Sequence, residues 1–311
     1  MLKTILKLLG IVVLCAWLTP AHALLDAVTL ILSEDSGPYQ EFVDRFRAAV
    51  PATGARATRI SVLSLQKQTP NGDAIAPDTD LVVAVGVRAT EAAIRMHRPV
   101  PILSVLVPRH AFMQLKKEYR GADGKLSAIY LDQPFSRRFA LIREALPGRK
   151  QIGVVLGPDS AGDLHMLQSA AREHGLSIVT ENISSQNELL PALKQVLGQS
   201  EVLLATPDSL VYNRTTAQSI LLTSYRAQEP VIAYSQSYVS AGALAAVFST
   251  PAQIAQQAAE MLRVAAAEAS LPAPQYPKYF SVTVNRQVAR SLGIEVEDDA
   301  ALRSRLGAQR E

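Results

Sequence analysis

The chain contains a single cysteine, Cys15, and it lies in the first apolar stretch. Beyond that stretch no disulfide can form and no thiol nucleophile exists, so stability must come from the core alone. Aromatic residues supply only 5% of the chain and charged residues 19%, against 48% apolar. This Ala-rich, aromatic-poor composition suits a soluble α/β protein. Charge of one sign is not in excess either, with 31 Lys and Arg against 28 Asp and Glu. A balance so close to neutral offers no footprint for nucleic acid or an anionic membrane.

Catalytic signatures are missing. The sequence has no G-x-S-x-G elbow, no P-loop and no H-E-x-x-H. The first predicted strand is followed by Ser33-Glu34-Asp35-Ser36-Gly37-Pro38 rather than a G-x-G-x-x-G turn. His22, His97, His110, His165 and His174 are scattered, and none has a partner at metal-ligand spacing. His165 and His174 fall on different faces of one predicted helix, which indicates surface positions. Neither a catalytic residue, a metal nor a cofactor is expected. A carboxylate pair formed only in space would leave no trace in sequence, so a periplasmic enzyme stays as an alternative.

Long hydrophobic runs are absent as well. Lys3 and Lys7 precede the apolar run Leu8 to Leu18, and Thr19-Pro20-Ala21-His22-Ala23 follows it. A spanning helix needs about 20 apolar residues. Charge, a short apolar core and an A-x-A site make a signal peptide, 1–23, with cleavage after Ala23. A membrane anchor is the competing reading. A lipoprotein signal would need a small residue before Cys15, where Leu14 stands. The mature chain is expected in the periplasm, and it is long enough for two domains.

What is present is a repeating alternation of β-branched runs and amphipathic runs. Strands are predicted at Ala27–Leu32, Ala57–Leu65, Leu81–Val85, Pro101–Val107 and Ala128–Leu131. Helices are predicted at Pro38–Val50, Arg88–His97 and His110–Tyr119. Continuous apolar strands alternating with helices indicate parallel sheets covered on both faces. The cycle restarts near Asp132. Helices follow at Pro134–Leu146, Ala161–His174, Gln186–Leu197, Leu210–Ala227 and Pro251–Glu268. Strands lie between them at Gln151–Leu156, Ser177–Val179, Val202–Ala205, Val231–Tyr234 and Ala243–Phe248. The three prolines of Leu271 to Pro277 exclude regular structure there. A last strand, Tyr279–Val284, and a helix, Arg286–Leu292, lead to a charged tail expected to fray after Glu295. The fold class is therefore α/β, with two Rossmann-like lobes of parallel, doubly wound sheets.

Open parallel sheets bind ligands at the carboxyl ends of their strands. The loops there read Ser33-Glu34-Asp35, Gly86-Val87-Arg88, Pro108-Arg109-His110, Gly157-Pro158-Asp159-Ser160, Thr206-Pro207-Asp208-Ser209 and Ser235-Gln236-Ser237-Tyr238. All carry polar groups after apolar strands. Asp159-Ser160 and Asp208-Ser209 are also good helix N-caps, so capping competes with ligand binding as their role.

Several stretches resemble a known family. They are Leu146-Pro147-Gly148-Arg149-Lys150-Gln151-Ile152-Gly153-Val154-Val155, Ala170-Ala171-Arg172-Glu173-His174-Gly175-Leu176 and Thr206-Pro207-Asp208. Glu229 to Ser235, Val239 to Ala245 and Val284 to Ile294 complete the set. In order and spacing they resemble the substrate-binding proteins of ABC transporters related to tryptophan- and tyrosine-binding lipoproteins. The resemblance covers roughly Asp80 to Ile294. It implies a type I periplasmic binding protein, two lobes joined by three crossing segments. These would lie near Ala128–Gln133, Ser235–Ala243 and Pro272–Ser281. Residues 24–130 plus 244–273 would form the N-terminal lobe, and 131–243 plus 274–311 the C-terminal lobe.

The resemblance also implies a non-enzymatic, monomeric binder of a small molecule, amino-acid-like or anionic. Its partner would be a membrane permease, making it the binding component of an ABC importer. The alternative is a ligand-sensing or accessory protein for a membrane receptor or outer-membrane uptake system. Gly86-Val87-Arg88 stands where the family usually has Gly-Thr, and Pro108-Arg109-His110 where it often has Asp-Pro. Arg88 and Arg109 could thus favour an anion, or face solvent. The expected ligand contacts are Ser33, Gly86, Arg88 and Arg109 from the first lobe, and Asp159, Asp208, Tyr212 and Gln236 from the second. Asp208 would accept a ligand amine and Arg109 would hold an anion. Tyr212 and Tyr238 could stack on a planar ligand, with core packing the competing role for Tyr212.

Overall fold

A computed structural model describes residues 25–50, 58–67, 75–122, 124–268 and 270–308. The expected signal peptide lies outside the described residues. Five strands form the first sheet: β1 Ala27–Leu32, β2 Arg59–Ser64, β3 Leu81–Val85, β4 Ile102–Val107 and β5 Leu126–Tyr130. All are parallel, in the order β2-β1-β3-β4-β5. The strands β1, β3, β4 and β5 are mostly apolar because both faces are covered, whereas the edge strand β2 is partly exposed. Leu30 and Leu32 join Phe42 and Phe46 of helix α1, Gly37–Ala49. Ile31 points the other way, into a cluster with Ala89 and Ala93 of α2, Val87–Arg95, and Phe112 of α3, Arg109–Glu118. Pro38 starts α1 without loss, since a first-turn N–H has no helical partner.

The second sheet holds β6 Gln151–Leu156, β7 Ser177–Asn182, β8 Val202–Leu204, β9 Val231–Ala233, β10 Ala245–Phe248 and β11 Ser281–Val284. Their order is β11-β10-β9-β8-β6-β7, and only β11 runs antiparallel to its neighbour. Val154 and Leu204 face a cluster formed with α4 Phe135–Ala145, α5 Leu164–Glu173, α10 Arg286–Ser291 and α11 Asp299–Ala308. Val155 and Leu203 face the opposite cluster, with α6 Leu189–Leu197, α7 Ala217–Arg226 and α8 Gln236–Ala241. Two doubly wound α/β sheets therefore stand side by side, as the alternation implied.

Three expectations need correction. First, β10 was placed with the N-terminal lobe, but it pairs with β9 and β11 in the second sheet. The chain returns only afterwards, at Ser249-Thr250. The following helix, α9 Pro251–Glu268, packs Ile254, Ala255 and Ala258 into the core of the first sheet. The stretch Ser235–Ala243 is no crossing; it carries α8. Second, the helix expected over Leu210–Ala227 begins only at Ala217. Before it, the Asn213 side chain accepts from the backbone N–H groups of Thr215 and Thr216, at 2.9 and 3.2 Å. Such local bonds compete with helical pairing. Third, the charged tail expected to fray carries a helix, α11, over Asp299–Ala308. Leu302 and Leu306 are buried in the core beside Phe280 and Val282, four residues apart on one face of α11.

Candidate ligand-binding site

Where the chain passes between the sheets, its segments are stitched together. Gln133 follows β5 and is buried; its side-chain amide donates to Ser249 Oγ at 2.8 Å. Ser249 Oγ in turn donates to the Tyr279 carbonyl at 2.6 Å. Arg137 donates to Gln133 Oε1 at 2.6 Å and to the Pro277 carbonyl at 2.8 Å, and its guanidinium lies 4.2 Å from the Phe280 ring centroid. Residues from all three passages thus join one network. Buried polar groups this well paired fix geometry.

Directly on this network lies a cavity of about 160 Å³. Pro108, Leu131, Asp132 and Gln133 line it from the ends of β4 and β5. Pro207, Tyr234, Ser235, Phe248 and Ser249 line it from the ends of β8, β9 and β10, with Arg138 of α4. The cavity therefore sits at strand carboxyl ends from both sheets, where open α/β sheets take ligands. A bulge in β4 lies just before the wall residue Pro108. The register with β5 shifts between Val105 and Val107, and Leu106 adopts φ 52°. Bulges and strained non-Gly residues of this kind recur beside functional sites.

Two opposite charges face this cavity. Burial raises the Asp132 carboxyl above its ordinary range, against the backbone N–H of Arg109, which donates to it at 2.5 Å. Arg138 is 2% exposed, and burial lowers its guanidinium to about 10. It donates to the Ala205 carbonyl, while its Nε finds no partner. Asp132 and Arg138 feel each other's field without forming an ion pair. Burying two charges without pairing them is costly.

A second set of contacts crosses the cleft. Arg109 at the start of α3 donates to Asp163 Oδ1 across the cleft at 2.8 Å. Beside it His110 Nε2 lies 4.0 Å from Asp159 Oδ2. Burial raises the Asp163 carboxyl, and Arg109 only partly offsets this. Burial also acts upward on Asp159, but hydrogen bonds from Ser209 outweigh it and leave that carboxyl lowered.

None of the eight side chains expected from sequence lines the cavity. Ser33 is buried, and its Oγ accepts from the Ala89 N–H at 2.9 Å, which makes it a cap for α2. Gly86 has φ 90°, and a Cβ there would stand 2.6 Å from Ser33 Oγ, so this glycine serves the same tight turn. Arg88 and Gln236 are exposed. Arg109 is engaged by Asp163 rather than open to an anion. Asp159 accepts from Ser209 N and Oγ, at 3.0 and 2.6 Å. Tyr212 is buried in the core beneath Tyr234 and Tyr238.

The largest correction concerns Asp208. Its carboxylate accepts from the N–H groups of Asp159, Ser160, Leu210 and Val211, at 3.1, 3.0, 3.0 and 3.2 Å. Ser160 Oγ adds a fifth bond at 2.8 Å. Gly157 leaves room for it; a Cβ there would come within 2.4 Å of Asp208 Oδ1. Asp208 is a clamp between two loops, with no lone pair left for a ligand amine.

Sequence reasoning passed over Asp132 and Arg138. Asp132 was read as a boundary between two series. Arg138 was hidden beside Arg137 in a helix whose Phe139, Leu141 and Ile142 are all buried. That run leaves no solvent face for two adjacent cations, which is the signal that could have found them. Among the described residues no cluster of His, Cys, Asp and Glu could hold a metal ion, and no helix is long and apolar enough to cross a membrane.

Known proteins resemble this chain in sequence and fold. The family model for ABC transporter substrate binding proteins matches residues 67–305. A tyrosine-binding protein of Clostridioides difficile (strain R20291) is 25% identical over 172 residues, 53% of this chain and 48% of that one. The alignment thus spans about half the length of that relative. A ligand-free, open structure of a substrate binding protein with adhesive properties from Clostridium difficile superposes with TM-score 0.70 at 19% identity, over 88% of this chain and 96% of that one. An ABC domain from Streptococcus pneumonia in complex with L-Trp gives TM-score 0.60 at 14% identity, over 88% and 97%. A periplasmic ribose ABC transporter from Conexibacter woesei gives 0.51 at 15%, over 87% and 95%. These likenesses establish the fold, that of type I periplasmic binding proteins.

Proposed function

Since the chain belongs to the family of ABC transporter substrate binding proteins, which are solute binders rather than enzymes, we propose that it captures a small zwitterion, an amino acid or close analogue, between its two sheets. It hands this ligand to a membrane permease from the periplasm. One observation carries the ligand class. Asp132 and Arg138 face one cavity with opposite charges and no ion pair between them. A ligand bearing both an ammonium and a carboxylate pairs both at once and relieves the cost of burying each. A purely anionic ligand would satisfy Arg138 but place like charge against Asp132. Arg109 and Asp163 already meet across the cleft, a contact that opening of the sheets to admit the ligand would break and closure would restore, the hinge motion that two-lobed binders use. The tyrosine-binding relative and the tryptophan complex of a structural neighbour support the amino-acid class.

The test is mass spectrometry of small molecules released from the mature protein purified without refolding, followed by their re-addition in a thermal-shift assay. Binding to the folded state raises the midpoint with ligand concentration. A released zwitterion that raises the midpoint of the wild type, but not of Asp132→Asn or Arg138→Gln, agrees with the proposal. A ligand whose effect survives both substitutions refutes it.

A further inference from the structure

The cavity is small, and its size is set by built features. At about 160 Å³ it is close to the roughly 150 Å³ apolar cavity that holds one benzene molecule. The indole of tryptophan is larger than benzene before its backbone is counted. Two devices prevent easy enlargement. One is Tyr234, whose ring closes the cavity from the second sheet. Tyr212 meets it edge-on at 6.2 Å and 84°, and Tyr238 lies against it at 5.2 Å. Tyr212 is itself in the core, so Tyr234 has no space to swing into. The other is the ion pair Arg109–Asp163, which joins the two sides of the cleft at 2.8 Å and would break if the sheets stood further apart.

We propose that Tyr234, braced by Tyr212 and Tyr238, restricts this site to small amino acids with short apolar side chains, such as alanine, 2-aminobutyrate or proline, and rejects aromatic ones. This rests on the zwitterion reading above and adds a size limit to it. Between Asp132 and Arg138, Pro108, Leu131, Pro207 and Phe248 give a side chain apolar contact, while the polar wall residues are engaged within the protein, Gln133 with Ser249, Ser249 with the Tyr279 carbonyl and Ser235 as the cap of α8. A packed wall discriminates by volume, and one surplus methylene changes affinity by about tenfold or more.

The experiment is calorimetric titration of the mature wild type, Tyr234→Leu and Phe248→Leu with alanine, 2-aminobutyrate, proline, leucine, phenylalanine, tyrosine and tryptophan. The wild type is expected to bind at least one small member about tenfold or more tightly than any aromatic. Tyr234→Leu is expected to shift that ratio by about tenfold toward the larger members. Phe248→Leu opens the same space without touching the tyrosine brace and is expected to shift it in the same direction. Tighter binding of tyrosine or tryptophan by the wild type overturns the size limit and leaves the zwitterion class standing. An unchanged ratio in both variants overturns the wall assignment. Silence of the wild type toward the whole panel overturns the class, and the size limit with it.

Discussion

Replacing Asp208 by alanine separates stability from binding. The carboxylate holds the loop after β6 to the loop after β8 through four backbone N–H groups and one hydroxyl, all within 3.2 Å. Each hydrogen bond to a charged group contributes about 1.5–3 kcal/mol net, and bonds to one acceptor are not additive. Asp208 is 3% exposed, so its removal strands donors away from water, although the void admits some. Together these give a loss of about 3–5 kcal/mol for Asp208→Ala. For a chain of this size that lowers the melting midpoint by roughly 10 °C. Asp208→Asn keeps one accepting oxygen, and the expected loss is about half as large. Because the carboxylate faces protein donors, the ligand Kd of either variant, measured by titration well below its melting point, should stay within about twofold of wild type. An Asp208→Ala protein that melts within a degree of wild type but no longer binds would refute this reasoning. It would make Asp208 the ammonium acceptor that the sequence first suggested.

Other consequences are equally direct. Glu229 is buried beside Ser200, and burial pushes its carboxyl up to about 7 despite the hydrogen bond from Ser200. Its folded-state pKa exceeds the unfolded one, so the stability it contributes is complete below about pH 4.5 and is lost as pH rises through 7. Glu229→Gln should therefore gain about 1–2 kcal/mol over wild type between pH 5 and 8, after allowance for solvent screening, and urea titrations at both pH values would measure it. Leu302 is fully buried, and Leu302→Ala should cost about 2–4 kcal/mol in the same assay; a change below about 0.5 kcal/mol would mean that the tail frays after all. Asp163→Asn should raise the ligand dissociation rate about three- to tenfold in stopped-flow traces and weaken its dependence on salt, because the lost pair is made across the cleft.

The fold was legible where strands are buried on both faces. β1, β3 and β6 stand where their apolar runs predicted them, and α9 begins and ends at the expected residues. The partner of a strand is not written in its own sequence. Ala245–Phe248 is apolar enough for either sheet, and only pairing with β9 and β11 decides. The tail was misread because its charges hide two leucines at helical spacing. The site was legible at the level of loops: Pro108, Pro207 and Ser235 adjoin Arg109, Asp208 and Gln236. The side chains themselves were not, because polar residues after a strand serve caps and clamps as readily as ligands, and the choice depends on which way each one turns. Asp132 and Arg138 gain their meaning from a cavity that joins distant segments, which spacing along the chain does not encode.

The central claim is that a zwitterion lies between Asp132 and Arg138. A crystal structure of the mature protein with its released ligand tests it most directly. The ligand ammonium is expected within hydrogen-bond distance of an Asp132 carboxyl oxygen and the carboxylate on the Arg138 guanidinium, beside the ring of Tyr234. A ligand seated instead against Arg88 and Gln236, with Asp132 and Arg138 untouched, would contradict it.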